Sequence, residues 1–390
     1  MASSSFSLAK FYVFFTFSLY ICISVPIALA NYSPYAALIS FCDSLADTGN
    51  SLLYPHGNLL PIAHWPYGET FFHKPTGRHS DGRLVVDFFA QALGLPLLPP
   101  YLSTLDGGDD FSKGVNFAVG GATALDSSYF ISKGFEQHWT NYSLGVQLEW
   151  FHQLLPSLCK PYSDCKEFMK KSMFLVGEIG GNDCNYAFAR GNSTEEVKAF
   201  VPDIIDTIMK AALILISEGA ETLIIPGNLP IGCSTMYLTQ HHTLDKGQYD
   251  PNTGCLTRFN DFACYYNSKL QDAIKDMRVR FPQATIIYAD YYNAAMLFFE
   301  SPELIGFPKE TVLSACCGVG GQYNFDPRRT CGKPGATVCD DPSLYTNWDG
   351  IHLTEAAYKV IATALLSGEF THPPLKLDQP RFETDLNMVA

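Results

Sequence analysis

A serine hydroxyl does no chemistry until a base takes its proton and donors are aimed at the oxyanion that forms. This chain carries candidates for every part of that device. Ser44 follows the apolar run AALISF (36 to 41) within FCDSLADTGN. Asp349 stands three residues before His352 in NWDGIHLTEAAY, just ahead of a helical pattern. In a turn that leads into a helix, this spacing lets a carboxylate and an imidazole face the same way, so Asp349 can set the tautomer of His352. A second apolar segment, GVNFAVGGATAL (114 to 125), carries Gly120 and Gly121, and MFLVGEI (173 to 179) is followed by Gly180-Gly181-Asn182-Asp183. The N–H groups of Ser44 and Gly121 and the side-chain amide of Asn182 are then credible oxyanion donors. Each piece also has an ordinary reading: Ser44 and Asp47 as turn residues, the glycines as loop punctuation, Asn182 as an Asx turn, Asp349 and His352 as surface polar groups. Four pieces at the ends of apolar runs, jointly completing one mechanism, favour catalysis at Ser44.

The elements that must hold these residues alternate along the chain. AALISF, MFLVGEI, TLIIPG (222 to 227) and ATIIYAD (284 to 290) read as strands buried on both faces. Between them lie the helical patterns LVVDFFAQAL (84 to 93), VPDIIDTIMKAALILISEG (201 to 219) and NSKLQDAIKDMRVRF (267 to 281). A last helix, TEAAYKVIATALL (354 to 366), opens on Thr354 as its N-cap. Strands alternating with helices imply a parallel sheet covered on both sides, with ligands bound beyond the carboxyl ends of the strands. Ser44, Gly121, Asn182 and the Asp349–His352 turn all fall there. No repeat or low-complexity linker divides the chain, and the tail from Thr371 to Ala390 reads as loosely ordered.

Lys10, the apolar stretch FYVFFTFSLYICISVPIALA and the small-residue ending Ala28-Leu29-Ala30 have the plan of a secretory signal peptide over residues 1–30. The apolar stretch is just long enough for an uncleaved anchor to remain the alternative. No second such run exists, so stable membrane insertion is not expected once the leader is removed. The secretory route gives meaning to the N-x-[ST] acceptors at Asn31, Asn141 and Asn192 and to the cysteines. Loss of Cys22 with the leader leaves eleven, an odd number in an oxidising compartment. Cys159 and Cys165 bracket a short Pro-containing loop, and Cys233 and Cys255 bracket a longer polar one; both are natural bridges. Cys316, Cys317, Cys331 and Cys339 form an even cluster of undetermined connectivity, while Cys42, Cys184 and Cys264 are left over. No cysteine pairs stand at zinc spacing, so no metal site is expected. With 26 basic against 39 acidic residues, nucleic acid is not the expected partner.

Asp43-Ser44 with Asp47-Thr48-Gly49-Asn50, Gly121, Gly180 to Asp183, and Asp349 to His352, together with PYGETFF (66 to 72) and GRHSDGR (77 to 83), resemble the sequence blocks of the plant GDSL esterase/lipases of the SGNH hydrolase superfamily. The resemblance extends over nearly the whole chain after the leader, and its nearest branch includes sinapine esterase and acetylajmalan esterase. It implies a flavodoxin-like α/β/α sandwich with about five parallel strands, one hydrolase domain over residues 31–370, a Ser44/His352/Asp349 triad and no cofactor. It also implies a monomer that is secreted or vacuolar and acts on a small-molecule ester. Cys42 departs from the pattern, which has glycine before Asp-Ser, and Cys184 departs where relatives carry Tyr. Both cysteines end neighbouring strands, which places them near the rim of the site, and Cys42 is expected as a free thiol beside Ser44. Three functions fit: an ester hydrolase acting through an acyl-Ser44 intermediate on an acylated plant metabolite, an acyltransferase using the same intermediate, and a catalytically silent binding protein. Retention of every triad and oxyanion position argues against the last.

Overall fold

The computed structural model describes residues 34–106, 109–135, 140–159 and 165–377. The expected leader and Asn31 lie outside the described residues. Among the described residues eight strands are present: β1 Leu38–Phe41, β2 Gly114–Asn116, β3 Met173–Val176, β4 Thr222–Pro226, β5 Thr285–Ala289, β6 Cys317–Gly318, β7 Thr337–Val338 and β8 Thr371–His372. Six form one sheet in the order β2-β1-β3-β4-β5-β8; the first five run parallel and β8 closes the edge antiparallel to β5. This is the flavodoxin-like order with an added edge strand. β6 and β7 pair separately.

Period-two alternation divides the strand side chains between two cores. Ile39, Phe41, Phe174, Val176, Leu223, Ile225, Ile286 and Tyr288 face one, and Leu38, Met173, Leu175, Ile224, Ile287 and Ala289 face the other. Seven helices of eight or more residues cover these faces among the described residues: α1 Val85–Ala92, α2 Leu144–Leu158, α3 Gly181–Ala189, α4 Val201–Ser217, α5 Thr257–Arg280, α6 Tyr291–Glu300 and α7 Glu355–Leu366. Residues of α2, α3, α4 and α5 pack in the first core, and residues of α1, α6 and α7 in the second. Both sheet faces are thereby dry, which is why the strands read as continuous apolar runs.

Several elements differ from expectation. α5 begins ten residues before Asn267, and α2 and α6 were not expected as helices. The tail is ordered further than its composition suggests: Thr371 pairs with Ala289, Leu375 is buried, and description continues to residue 377. Thr354 does cap α7, its Oγ1 accepting from the N–H of Ala357 at 3.2 Å.

Among the described residues the cysteines pair as Cys159–Cys165, Cys233–Cys255, Cys316–Cys339 and Cys317–Cys331, leaving Cys42, Cys184 and Cys264 free. Cys42 and Cys184 are not at the rim. Each is 1% exposed, and they belong to the two different cores. The cause is the strand alternation: Cys42 follows Phe41 and so points to the opposite face, whereas α3 packs on Phe41's own side. Cys42 Sγ donates to Glu178 O at 2.9 Å, and burial pushes both thiols well above their ordinary range, away from the reactive thiolate. Iodoacetamide should therefore label native protein at Cys264 and spare Cys42 and Cys184. Peptide mapping before and after denaturation checks this, and labelling of Cys42 in the folded protein would show that the Ser44 turn opens.

Candidate active site

The carboxyl ends of β1 and β3 are level, with Phe41 opposite Val176, and β1 lies between β2 and β3. The crevice beside such a central strand is where an open α/β sheet admits a ligand. β1 runs into a turn in which Leu45 N donates to Asp43 Oδ1 at 2.9 Å and Asp47 N to Asp43 O at 3.1 Å. Asp47 does more than form that turn. Its carboxylate accepts from the N–H groups of Gly49 at 2.8 Å, Asn50 at 2.7 Å and Ser51 at 3.1 Å, and from Gly120 at 2.9 Å. The loops after β1 and β2 are thus joined through one buried side chain. Gly121 follows with φ 81°, a left-handed conformation that favours glycine.

At the other end of the chain, Asp349, Ile351 and His352 form a turn held by one carboxylate. Asp349 Oδ1 accepts from Ile351 N at 3.1 Å and His352 N at 3.0 Å. His352 Nδ1 lies 2.8 Å from Asp349 Oδ2, and Nε2 lies 2.8 Å from Ser44 Oγ, across a sequence separation of 308. The segment 77–83 ties these turns together. Arg78 Nη1 donates to Thr48 O at 3.2 Å, Ser80 Oγ donates to Leu353 O at 3.0 Å, and Asp81 Oδ1 accepts from Glu355 N at 2.7 Å. Arg78 is itself fixed by a bidentate buried pair with Asp87, both contacts at 2.7 Å.

The N–H groups of Ser44 and Gly121 donate to no partner among the described residues, which leaves them available to an oxyanion. Asn182 is brought to the same place, but its amide donates to Asp43 Oδ2 at 2.8 Å and Ala122 O at 3.0 Å. An amide has two hydrogens. Donation by Asn182 to an oxyanion therefore requires sharing one of them. Asp183 plays a different part, accepting from Ala124 N at 2.8 Å and Leu125 N at 2.9 Å and so anchoring the loop that follows Gly121.

Burial dominates the electrostatics. It pushes Asp43 and Asp183 up to about 7 against the N–H donors that hold them, and Glu178 well above the usual carboxyl range. Burial alone would raise Asp349 too. The imidazole of His352 and its hydrogen bonds more than reverse this, so Asp349 stays ionised.

Two neighbours of the relay carry no signal in residue spacing. Tyr67 Oη donates to Asp349 Oδ2 at 2.8 Å. The His79 ring lies 4.5 Å from that of His352; burial, with His352 beside it, lowers the imidazole to about 3 and keeps it neutral. Both lie in the segments PYGETFF and GRHSDGR, whose resemblance to the family blocks was the only available pointer. Ligand atoms of His79, Asp349 and His352 lie within 4.8 Å of one another, the arrangement among the described residues that could take a metal ion. Both ring nitrogens of His352 already have partners, an arrangement suited to proton transfer.

Two cavities flank the relay. One, about 80 Å³, borders Ser44, Asn182, Glu178, Asn228, Tyr237 and Phe298. The other, about 290 Å³, borders His352, Tyr67, His79, Ile62, Phe325 and Pro327. Met236 and Ile351 line both and form the ridge between them.

A family profile described as GDSL-like Lipase/Acylhydrolase matches residues 38–365. The GDSL esterase/lipases At1g28590 and At5g45910 of Arabidopsis thaliana are each 50% identical to this chain over 343 residues, covering 88% and 87% of it and 84% and 92% of their own lengths. A third Arabidopsis protein, GDSL esterase/lipase At1g31550, is 50% identical over 342 residues, or 87% of this chain and 86% of its own length. With the parallel sheet and the serine crevice at its carboxyl edge, this places the chain in the GDSL-like lipase/acylhydrolase family, as a carboxylic ester hydrolase.

Proposed function

We propose that the protein hydrolyses the ester of an acylated plant specialised metabolite through an acyl-Ser44 intermediate. The observation that carries this reading is the continuous relay from Asp349 through His352 to Ser44, with 2.8 Å at each step. His352 Nε2 takes the Ser44 proton as Oγ bonds to the ester carbon. The oxyanion is held by the N–H groups of Ser44 and Gly121, with one Asn182 hydrogen shared. As the intermediate collapses, the ester C–O bond breaks and His352 returns the proton to the departing alcohol oxygen. Water then enters by the same route: its oxygen bonds to the acyl carbon as His352 takes a proton from it, and the bond from that carbon to Ser44 Oγ then breaks as His352 returns the proton to Oγ, releasing the acid. Asp349 keeps Nδ1 protonated throughout, and Tyr67 holds Asp349.

The direction of proton return assigns the cavities. His352 must reach the leaving oxygen, so the larger, mostly apolar cavity beside it takes the alcohol half and the smaller cavity beside Ser44 and Asn182 takes the acyl half. Alkaloid, choline and phenolic esters, as the resemblance to the sinapine and acetylajmalan esterase branch implies, are the substrate classes to test. The reading includes passage through the secretory pathway to the vacuole or cell exterior, a single hydrolase domain and a monomeric state. Glycans at Asn141, which is exposed, and Asn192, which is partly exposed, suit that route. Among the described residues no helix is long and apolar enough to cross a membrane.

The test is a screen of purified protein against short-chain nitrophenyl esters, choline esters and acylated alkaloids, with products analysed in the presence of alcohol acceptors. Hydrolysis together with fluorophosphonate labelling at Ser44 is expected. Labelling elsewhere, or products that are mainly transferred esters, would replace this reading.

A further inference from the structure

Three buried carboxyl groups, Asp43, Asp183 and Glu178, lie beneath the proposed nucleophile, and two of them are accounted for. Asp43 accepts from Leu45 N and Asn182 Nδ2, and Asp183 from Ala124 N and Leu125 N. Glu178 is different. It is 3% exposed, it lines the smaller cavity, and its Oε1 has no hydrogen-bond partner. A second residue of the same cavity shares the property: Asn228 is 3% exposed, and its Nδ2 has no partner. Most buried polar atoms are satisfied, because leaving one unpaired costs the full desolvation of that group. Two in the wall of one cavity beside a reactive serine mark a place where a ligand completes the bonding.

Both residues are held from behind by their backbones. Asn228 N donates to Asn267 Oδ1 at 2.7 Å, and Asn267 Nδ2 donates to Asn228 O at 3.0 Å, so the Asn228 backbone is clamped. The Glu178 backbone carbonyl is gripped by Cys42 Sγ at 2.9 Å. Gly181 leaves the space its carboxyl occupies, since a Cβ at that position would stand 3.2 Å from Oε2. The remaining walls include Tyr237, Phe298 and Phe299, which suit carbon.

Asn228 Nδ2 can only donate. The Glu178 carboxyl accepts through either oxygen and, when protonated, also donates. A hydroxyl group, being donor and acceptor at once, complements this pair in either protonation state of Glu178. We propose that Glu178 and Asn228 read a hydroxyl on the acyl half of the ester, making the substrate an ester of a short hydroxylated acid. The inference rests on the cavity assignment made for the Ser44 mechanism. It narrows that reading to one substrate feature, and it names two specificity-determining residues that stand outside the proton relay.

The test uses ester pairs in which a methyl replaces the hydroxyl at constant shape: benzyl 3-hydroxybutyrate against benzyl 3-methylbutyrate, and benzyl lactate against benzyl isobutyrate. Sites built to bond a hydroxyl discriminate strongly against analogues lacking it. After correction for the rates with free hydroxide, kcat/KM should favour the hydroxyl member of at least one pair by ~100-fold or more. In Glu178→Met and Asn228→Leu that ratio should fall to within ~3-fold of unity; the melting temperature of Asn228→Leu should hold or rise, because the change removes an unpaired buried polar atom, whereas Glu178→Met also takes the acceptor from the Gly181 N–H. A ratio near unity in the unmodified protein overturns the proposal, as does a large ratio that survives both substitutions. A melting temperature several degrees lower in both variants would mark the pair as structural and also overturn it. Calorimetric titration of Ser44→Ala with the same esters separates this inference from the mechanism. Tighter binding of the hydroxyl ester supports the inference even if turnover is absent, and equal affinity for both members overturns it even if Ser44 is the nucleophile.

Discussion

Replacing Ser44 by alanine should lower kcat by ~10⁴ to 10⁶-fold, the scale expected when a nucleophile that works as a unit with its base is removed. The expectation rests on the Ser44 hydroxyl having His352 Nε2 as its hydrogen-bond partner. Alanine removes the acyl-enzyme route while keeping the N–H that serves the oxyanion. The turn stays intact, because Asp43 and Asp47 hold it through their own carboxyl and carbonyl groups. Circular dichroism and a melting temperature within a few degrees of the parent would show an unchanged fold. Loss of fluorophosphonate labelling should accompany the loss of turnover, and near-normal turnover would remove Ser44 from the mechanism.

Asp349→Asn should cost ~10⁴-fold in kcat, through tautomer and charge rather than through shape. The Asp349 carboxylate meets the N–H groups of Ile351 and His352, the hydroxyl of Tyr67 and the Nδ1 of His352. All of them ask for an acceptor. Asparagine offers one acceptor oxygen, and its NH₂ stands either at the Oδ2 position, facing both Tyr67 and the His352 ring, or at the Oδ1 position, against the N–H groups of residues 351 and 352. In the first orientation the imidazole must accept at Nδ1 and carry its proton on Nε2, where it can no longer take one from Ser44. The negative charge that stabilises the imidazolium is lost in either orientation. Single-turnover kinetics with a nitrophenyl ester should show acylation itself slowed. A fall of less than ~10-fold would show that His352 needs no carboxylate, since orientation by such a partner is normally worth far more.

The parts of the molecule that could be read before folding are those whose signal is local. β1, β3, β4 and β5 are buried on both faces, so each announces itself as an apolar run, and the turn-formers behind them fall at the crevice. Asp349 and His352 are three residues apart and meet within one turn. The bridges Cys159–Cys165 and Cys233–Cys255 close single loops. What could not be read depends on the assembled chain. Tyr67 and His79 acquire their contacts with Asp349 and His352 only when a loop early in the sequence reaches the beginning of α7. Cys316 and Cys317 are adjacent, so no loop length decides which of them takes Cys339. The first ten residues of α5 were missed because TRFNDFACYY mixes aromatic and polar residues of modest helix propensity, and packing on the sheet overrides it. The misplaced Cys42 is instructive in another way: counting one residue past Phe41 would have sent it to the opposite face and into a core.

Ser44 and His352 are 308 residues apart along the chain, and among the described residues it is His352 that stands as base beside the serine hydroxyl. During synthesis at ~5 to 20 residues per second, the nucleophile turn leaves the ribosome ~15 to 60 seconds before the histidine exists. Throughout that interval the growing polypeptide holds a serine with an ordinary hydroxyl, harmless to any ester it meets. The timing of reactivity is thus set by connectivity: the serine gains its base only once the turn ahead of α7 has been made and has folded back to the carboxyl end of β1.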